Sequence, residues 1–275
     1  MPVHRPSETD AAFESLMRRM PAKLYKYSGV SGRRLEWIRR LLVDSELYFT
    51  SPSTFNDPLD CRISLHYDAS ALKVEQYWRH FVKQQFPGTP VRAHKERIKE
   101  LVTDSRTLQG RERLNEWFLQ QLDKNGIVCL GNSPNNVLMW SYYAEGHKGI
   151  AIQFNMAPEN LVAIKEQNIT VEVKYSRDFP RINFYESSLS DAVPGVFGTK
   201  AEAWKHEGEW RIVLIDQVGY VRIPPAMIDA VILGLRIDKD SEDQIKQCIQ
   251  QRATSTKLLR VQNVNDSFEL KIVTV

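Results

Sequence analysis

The sequence predicts an α+β protein, a mainly antiparallel β core that carries a helical insertion. Short runs rich in β-branched and aromatic residues recur at close intervals through most of the chain. One block, residues 70–125, keeps a helical period instead. The 275 residues are 42% hydrophobic and 26% charged, an ordinary globular composition with length for one large domain or two small ones. The reading is an N-terminal extension over residues 1–21 and a single domain over 22–275, with the insertion at about 70–125.

The elements follow in order. Residues 1–21 read as a ragged lead-in with a short helix near 11–19. Arg5, Glu8, Asp10, Arg18 and Arg19 interrupt it, so it lacks the apolar core of a signal peptide. A strand at 24–27 opens the domain. In residues 33–43, Leu35, Ile38 and Leu42 form one helical stripe, and Arg33, Arg34, Arg39 and Arg40 form a solvated face. A second strand at 47–50 ends in the turn Ser51-Pro52-Ser53-Thr54-Phe55-Asn56-Asp57-Pro58. In the helical block, Val74, Tyr77, Trp78, Phe81 and Val82 make one apolar face, and Leu114, Trp117, Phe118 and Leu122 another. Pro87-Gly88-Thr89-Pro90 breaks the two apart, and Gly126 is the expected stop of the last helix. Strands are expected at 127–130, 149–154, 169–175, 210–215, 220–223, 230–233, 258–261 and 268–275. Ser241-x-x-Gln244 reads as a capping box with Ile245, Cys248 and Ile249 behind it. The Ser-, Gly- and Pro-rich residues 187–199 read as a mobile lid.

Composition narrows the function classes. No apolar run approaches the length of a membrane span. Cys61, Cys129 and Cys248 are too scattered for a disulfide framework, and the histidines lack ligand spacing, so no metal site is expected. A reducing, cytoplasmic setting is the expectation. A formal net charge of +3 is too small to argue for nucleic acid, so the expected partner is a small molecule or nucleotide.

Four groups of residues carry the candidate chemistry. Glu207, Glu209 and Arg211 alternate at the mouth of an apolar strand, which would put both carboxylates and the guanidinium on one face. Such a pair can stabilise a cationic transition state or hold a divalent metal. Alternatively it is a structural network, with Arg211 neutralising one glutamate and Lys205 or Lys200 the other. Ser51, Ser53, Asn56 and Asp57 crowd donors at a strand end, suited to phosphate or ribose, or to capping their own turn with Phe55 in the core. Trp140, Tyr143 and His147 lie three and four apart, as walls for a planar ring or as the packed face of a short helix. Tyr25, Lys26 and Tyr27 form the fourth group, for which plain strand propensity is the alternative.

Taken in order, Leu24-Tyr25-Lys26-Tyr27, the turn Phe55-Asn56-Asp57-Pro58, Leu138-Met139-Trp140-Ser141-x-Tyr143-Ala144 and Glu207-x-Glu209-Trp210-Arg211 resemble a bacterial family known as domain of unknown function 2971, over about residues 24–240. The layout is also similar to the ADP-ribosyltransferase fold, with its split sheet and final Glu-x-Glu strand. Lys26 stands where those enzymes place Arg or His. That likeness implies NAD as substrate. Glu207 or Glu209 would face the developing oxocarbenium charge, Ser51 and Ser53 would brace the ribose, Tyr25, Trp140 or Tyr143 would stack on a ring, and Arg211 would hold the carboxylates. The other two readings are a metal-dependent nuclease using Asp57, Glu207 and Glu209, and a non-enzymatic sensor or binding module in a defence or stress system.

Overall fold

The computed structural model describes residues 15–164, 168–186 and 189–275; most of the expected lead-in, residues 1–14, lies outside them. The strands are β1 (Lys23–Ser28), β2 (Glu46–Phe49), β3 (Ser64–His66), β4 (Gly126–Gly131), β5 (Ile150–Asn155), β6 (Asn168–Glu172), β7 (Lys174–Ser176), β8 (Arg181–Asn183), β9 (Thr199–Ala201), β10 (Glu209–Leu214), β11 (Gly219–Arg222), β12 (Ile228–Leu233), β13 (Lys257–Asn263) and β14 (Leu270–Thr274). The helices are α1 (Arg33–Val43), α2 (Ala71–Gln85), α3 (Val91–Asp104), α4 (Leu108–Leu122), α5 (Val137–Tyr143), α6 (Pro158–Ile164), α7 (Leu189–Phe197) and α8 (Lys239–Gln250).

The protein is α+β. Its large sheet runs β14-β13-β12-β5-β1-β4-β10-β6 and is antiparallel except at β12–β13, which α8 connects. The sheet consists of two leaves. β1 pairs with β5 along its whole length, from Lys23↔Asn155 to Ser28↔Ile150. β4 likewise pairs with β10, from Glu209↔Gly131 to Leu214↔Gly126. Between the leaves, β1 and β4 share only the Tyr25↔Gly131 pair. Beyond it β4 turns to Thr50, at the end of β2, which exchanges both backbone hydrogen bonds with Ile127.

One face of both leaves shares a single core. Leu24, Ile152, Phe154, Val231, Leu130 and Ile212 pack there against Ile38, Leu41 and Leu42 of α1 and Ile245 of α8. The other face is covered in two parts. Over the β1 leaf, Met139, Trp140 and Ala144 pack on Tyr25, Tyr27, Ala151 and Ile232. Over the β4 leaf, Phe118 and Leu122 of α4 meet Val193, Val196 and Phe197 of α7. The helical insertion is α2–α4, joined to the body mainly through Phe118, Leu122 and the Trp78–Phe184 cluster.

Several local expectations need correction. Residues 189–197 form a helix that buries Val193, Val196 and Phe197, not a lid; those residues recur at i, i+3 and i+4 and take a core position despite the Ser, Gly and Pro around them. Residues 187 and 188 of the expected lid lie outside the described residues. Helix α8 is capped by Asp238, whose carboxylate accepts from Ser241 N–H at 2.8 Å, so Ser241 sits inside the first turn. Gly126 does not stop α4, which ends at Leu122 with Asp123 as its cap. It opens β4, where a Cβ would collide with the Gln217 carbonyl. The expected 169–175 strand breaks into β6 and β7, because β7 leaves the large sheet to pair with β9.

Candidate functional site

β10 carries Glu209 and Arg211 inward from its first turn, as alternation requires, but Glu207 is not on the strand. Residues Glu202–Glu207 form a 3-10 turn, and Gly208 leaves it in the left-handed region (φ 52°, ψ 49°). A side chain at Gly208 would be strained there and would strike Asn132. The reversal still brings both carboxylates onto one cation. Lys200 of β9 donates from Nζ to Glu207 Oε2 at 2.5 Å and to Glu209 Oε2 at 2.8 Å, with Asp60 Oδ2 at 3.5 Å.

Arg211 lies behind this group with no exposed surface. It donates from Nε to Glu209 Oε1 at 2.7 Å and from Nη2 to both Asp60 oxygens at 2.8 and 2.9 Å. Its Nη1 reaches the Phe197 carbonyl at 3.1 Å and Cys61 Sγ at 3.3 Å. A buried charge is tolerable only with such complete pairing. Both alternatives offered by the sequence for neutralising the glutamates are resolved here: Arg211 and Lys200 do it, and Lys205 is exposed.

Three carboxylates (Asp60, Glu207, Glu209) face two cations (Lys200, Arg211) in this cluster, so the acids do not titrate alike. Burial opposes the charge on Glu209, but Arg211 and Lys200 outweigh it and hold the carboxyl far below the usual range. Burial dominates at Glu207 and raises its pKa, with the Glu209 charge adding to it against the pull of Lys200. Burial also opposes the Lys200 charge, yet the three carboxylates leave its proton bound more tightly than in a free lysine. The Tyr143 phenol donates to Glu207 Oε1 at 2.6 Å, and burial together with that bond keeps it protonated.

A cavity of about 180 Å³ opens where the two leaves part. Its walls include Tyr25, Lys26 and Tyr27 from β1, Cys129 from β4, Thr50, Phe55 and Asn56 from the turn after β2, Tyr143 from α5, and Asp60, Lys200, Glu207 and Glu209. Asn56 and Tyr143 both line this cavity. The structure therefore gathers seven of the candidate binding and catalytic residues at one cavity: Tyr25, Lys26, Tyr27, Asn56, Tyr143, Glu207 and Glu209.

Others lie away from it. Ser51 donates to the Asp123 carbonyl at 2.8 Å and meets Ser53 at 2.8 Å, and neither serine lines the cavity. Asp57 accepts from Trp204 Nε1 at 2.7 Å and from Leu59 N–H at 2.9 Å. Trp140 is fully buried under Tyr27, with its indole donating to the Pro134 carbonyl at 2.8 Å. His147 sits in a left-handed turn, stacks on Trp140 and faces Ser141 Oγ at 3.3 Å. Asp60 was missed altogether: nothing in its local sequence separates it from the turn acids beside it.

The matched stretch of sequence runs through the heart of this site. Residues 139–212 match the family described as "Protein of unknown function (DUF2971)". The matched segment supplies Tyr143, Lys200, Glu207, Glu209 and Arg211, whereas Lys26, Asn56 and Asp60 come from outside it. No curated protein and no solved structure matches the chain.

Proposed function

We propose that this protein is an enzyme acting at the anomeric carbon of a nucleotide ribose, with NAD the first substrate to test and Glu207 the working carboxylate. The observation that carries the reading is the division of labour between the two glutamates. Both line the cavity and both accept from Lys200, but Glu209 is also paired with Arg211 and held ionised, while Glu207 has the Tyr143 phenol in place of a second cation and a raised pKa. Cleavage of an N-glycosidic bond builds positive charge on C1′ and the ring oxygen, and a carboxylate beside it stabilises that charge. The same group, titrating nearer neutrality than an ordinary glutamate, can take a proton from an attacking hydroxyl or water. Tyr25 and Tyr27 offer aromatic surface, and the Asn56 amide offers a donor and an acceptor.

The cavity is smaller than the ~300–1,000 Å³ of pockets that bury drug-sized ligands. It suits one ring or one sugar, leaving the rest of a dinucleotide outside. Tyr142, Trp204 and His206, with ring centroids 6.0–6.5 Å apart, form an aromatic group beside Lys200 where a base can stack. The nuclease reading has less support. Asp57 is turned to Trp204, and the two glutamates spend their oxygens on cations and Tyr143 rather than converging on a metal position.

The test is a thermal-shift and turnover assay with NAD in the absence of metal. Wild-type protein is expected to be stabilised by NAD and to release nicotinamide, and Glu207→Gln to lose about 10²–10³ of the turnover rate with little change in melting temperature. Absence of both a shift and turnover rejects NAD as substrate.

A further inference from the structure

The chemistry assigned so far uses the acidic wall of the cavity; a lysine on another wall has no role in it. Lys26 projects from β1 between Tyr25 and Tyr27, is partly buried, and lines the cavity where β1 and β4 separate. Lys200 and Arg211 each hold carboxylates, but the Lys26 ammonium makes no hydrogen bond or ion pair with any described residue. The ionisable groups around it are Cys129 from β4, Glu209 from β10, the cavity residues Asp60, Lys200, Glu207 and Tyr143, and its own neighbours Tyr25 and Tyr27. Glu209 already divides its oxygens between Arg211 and Lys200. Removed from water without a partner, an ammonium gives up its proton more readily. Burial accordingly holds Lys26 below the ordinary lysine range, offset only in part by the Cys129 and Glu209 charges.

We propose that Lys26 is an amine nucleophile that captures a small aldehyde, such as an open-chain sugar, as an imine. The nitrogen lone pair attacks the carbonyl carbon, a C–N bond forms, and the carbonyl oxygen takes up a proton. The carbinolamine then loses water as the C=N bond forms and the nitrogen releases a proton. No oxidant or reductant is needed, and Glu207 with Tyr143 lies at the same cavity to exchange the protons. The inference rests on the ribosyl reading only for the source of such an aldehyde, since hydrolysis at C1′ releases a sugar whose open form carries one.

The experiment treats wild-type protein with glycolaldehyde and cyanoborohydride at pH 7, which reduces any imine to a stable secondary amine, and maps modified lysines by peptide mass spectrometry. Lys26 is expected to be modified at least about tenfold faster than the exposed Lys205 and Lys271, because a tenfold rise in free-amine fraction follows each pH unit by which a lysine pKa falls. The preference disappears in urea, and Lys26→Arg removes that adduct alone. Modification of Lys26 no faster than Lys205 and Lys271 overturns the proposal, whether from a protonated amine or a closed cavity. Selective labelling without NAD turnover keeps the nucleophile and rejects NAD; turnover without labelling does the reverse.

Discussion

At the scale of single residues, Glu207 and Arg211 sit four positions apart and do opposite things to stability. Arg211 is the only cation that touches both Asp60 and Glu209 at less than 3 Å among the described residues. Arg211→Ala strands those carboxylates in the interior and is expected to cost about 3–5 kcal/mol, read as a lost or strongly lowered melting transition. The variant should regain stability as pH falls, because protonation then removes the stranded charges. In the wild type the sign is reversed: Glu209 has a depressed carboxyl, so its contribution is full above the usual glutamate value of about 4.3 and fades as pH drops below it. Glu207 has a raised carboxyl, so its ionisation takes stability away as pH rises from the usual glutamate value of about 4.3 toward its higher folded-state pKa, with no further loss above that. Gln keeps an acceptor for Lys200 and Tyr143, and Glu209 and Asp60 remain to neutralise Lys200, so Glu207→Gln is expected to fold with little loss of stability, which makes its loss of turnover interpretable. A Glu207→Gln protein as unstable as Arg211→Ala would mean that both glutamates are structural.

At the scale of elements, helix α5 is the piece that aims Tyr143. Its cap, Asn136, accepts from the N–H groups of Leu138 at 3.0 Å and Met139 at 3.3 Å, and its amide donates to the His206 carbonyl, next to Glu207. Asn136→Ala is expected to cost about 1 kcal/mol for the lost cap, and also to loosen the Tyr143–Glu207 contact. The measurement is melting temperature alongside turnover; a loss of stability with unimpaired turnover would detach the cap from the site. The elements were also what the sequence revealed best. The stripe of Leu35, Ile38 and Leu42 marked α1 to its ends, and the Tyr25 and Glu209 strands were evident from β-branched and aromatic runs. Two features resisted. Gly208 permits a left-handed reversal that an alternating charge pattern does not reveal, so Glu207 was expected on the strand. Asp60 joins the cluster through a contact spanning about 150 residues of chain, and no local spacing encodes such a meeting, whereas Lys200, nine residues before Glu209, was one of the two lysines the sequence offered.

At the scale of the whole molecule, burial is uneven. β5 and β12 lie inside the sheet with nearly every residue hidden, whereas α3 buries no residue at all. Local stability should follow. Amide hydrogen exchange is expected to be slowest in Ile150–Asn155 and Ile228–Leu233 and orders of magnitude faster across Val91–Asp104. Equal protection across these segments would mean that the insertion is fused to the core more firmly than its packing indicates. α4 differs from its two companions, because Phe118 and Leu122 belong to the core over the β4 leaf.

The lone Tyr25–Gly131 rung has a practical consequence for redesign. Parting the fully paired neighbours β1 and β5, or β4 and β10, would sacrifice a row of interstrand hydrogen bonds; here the backbone is already apart, and side chains such as Met139 and Tyr25 narrow the available width. Trimming those two could make room for a bulkier guest at the expense of packing alone, so this seam is the natural starting point for changing what the molecule accepts.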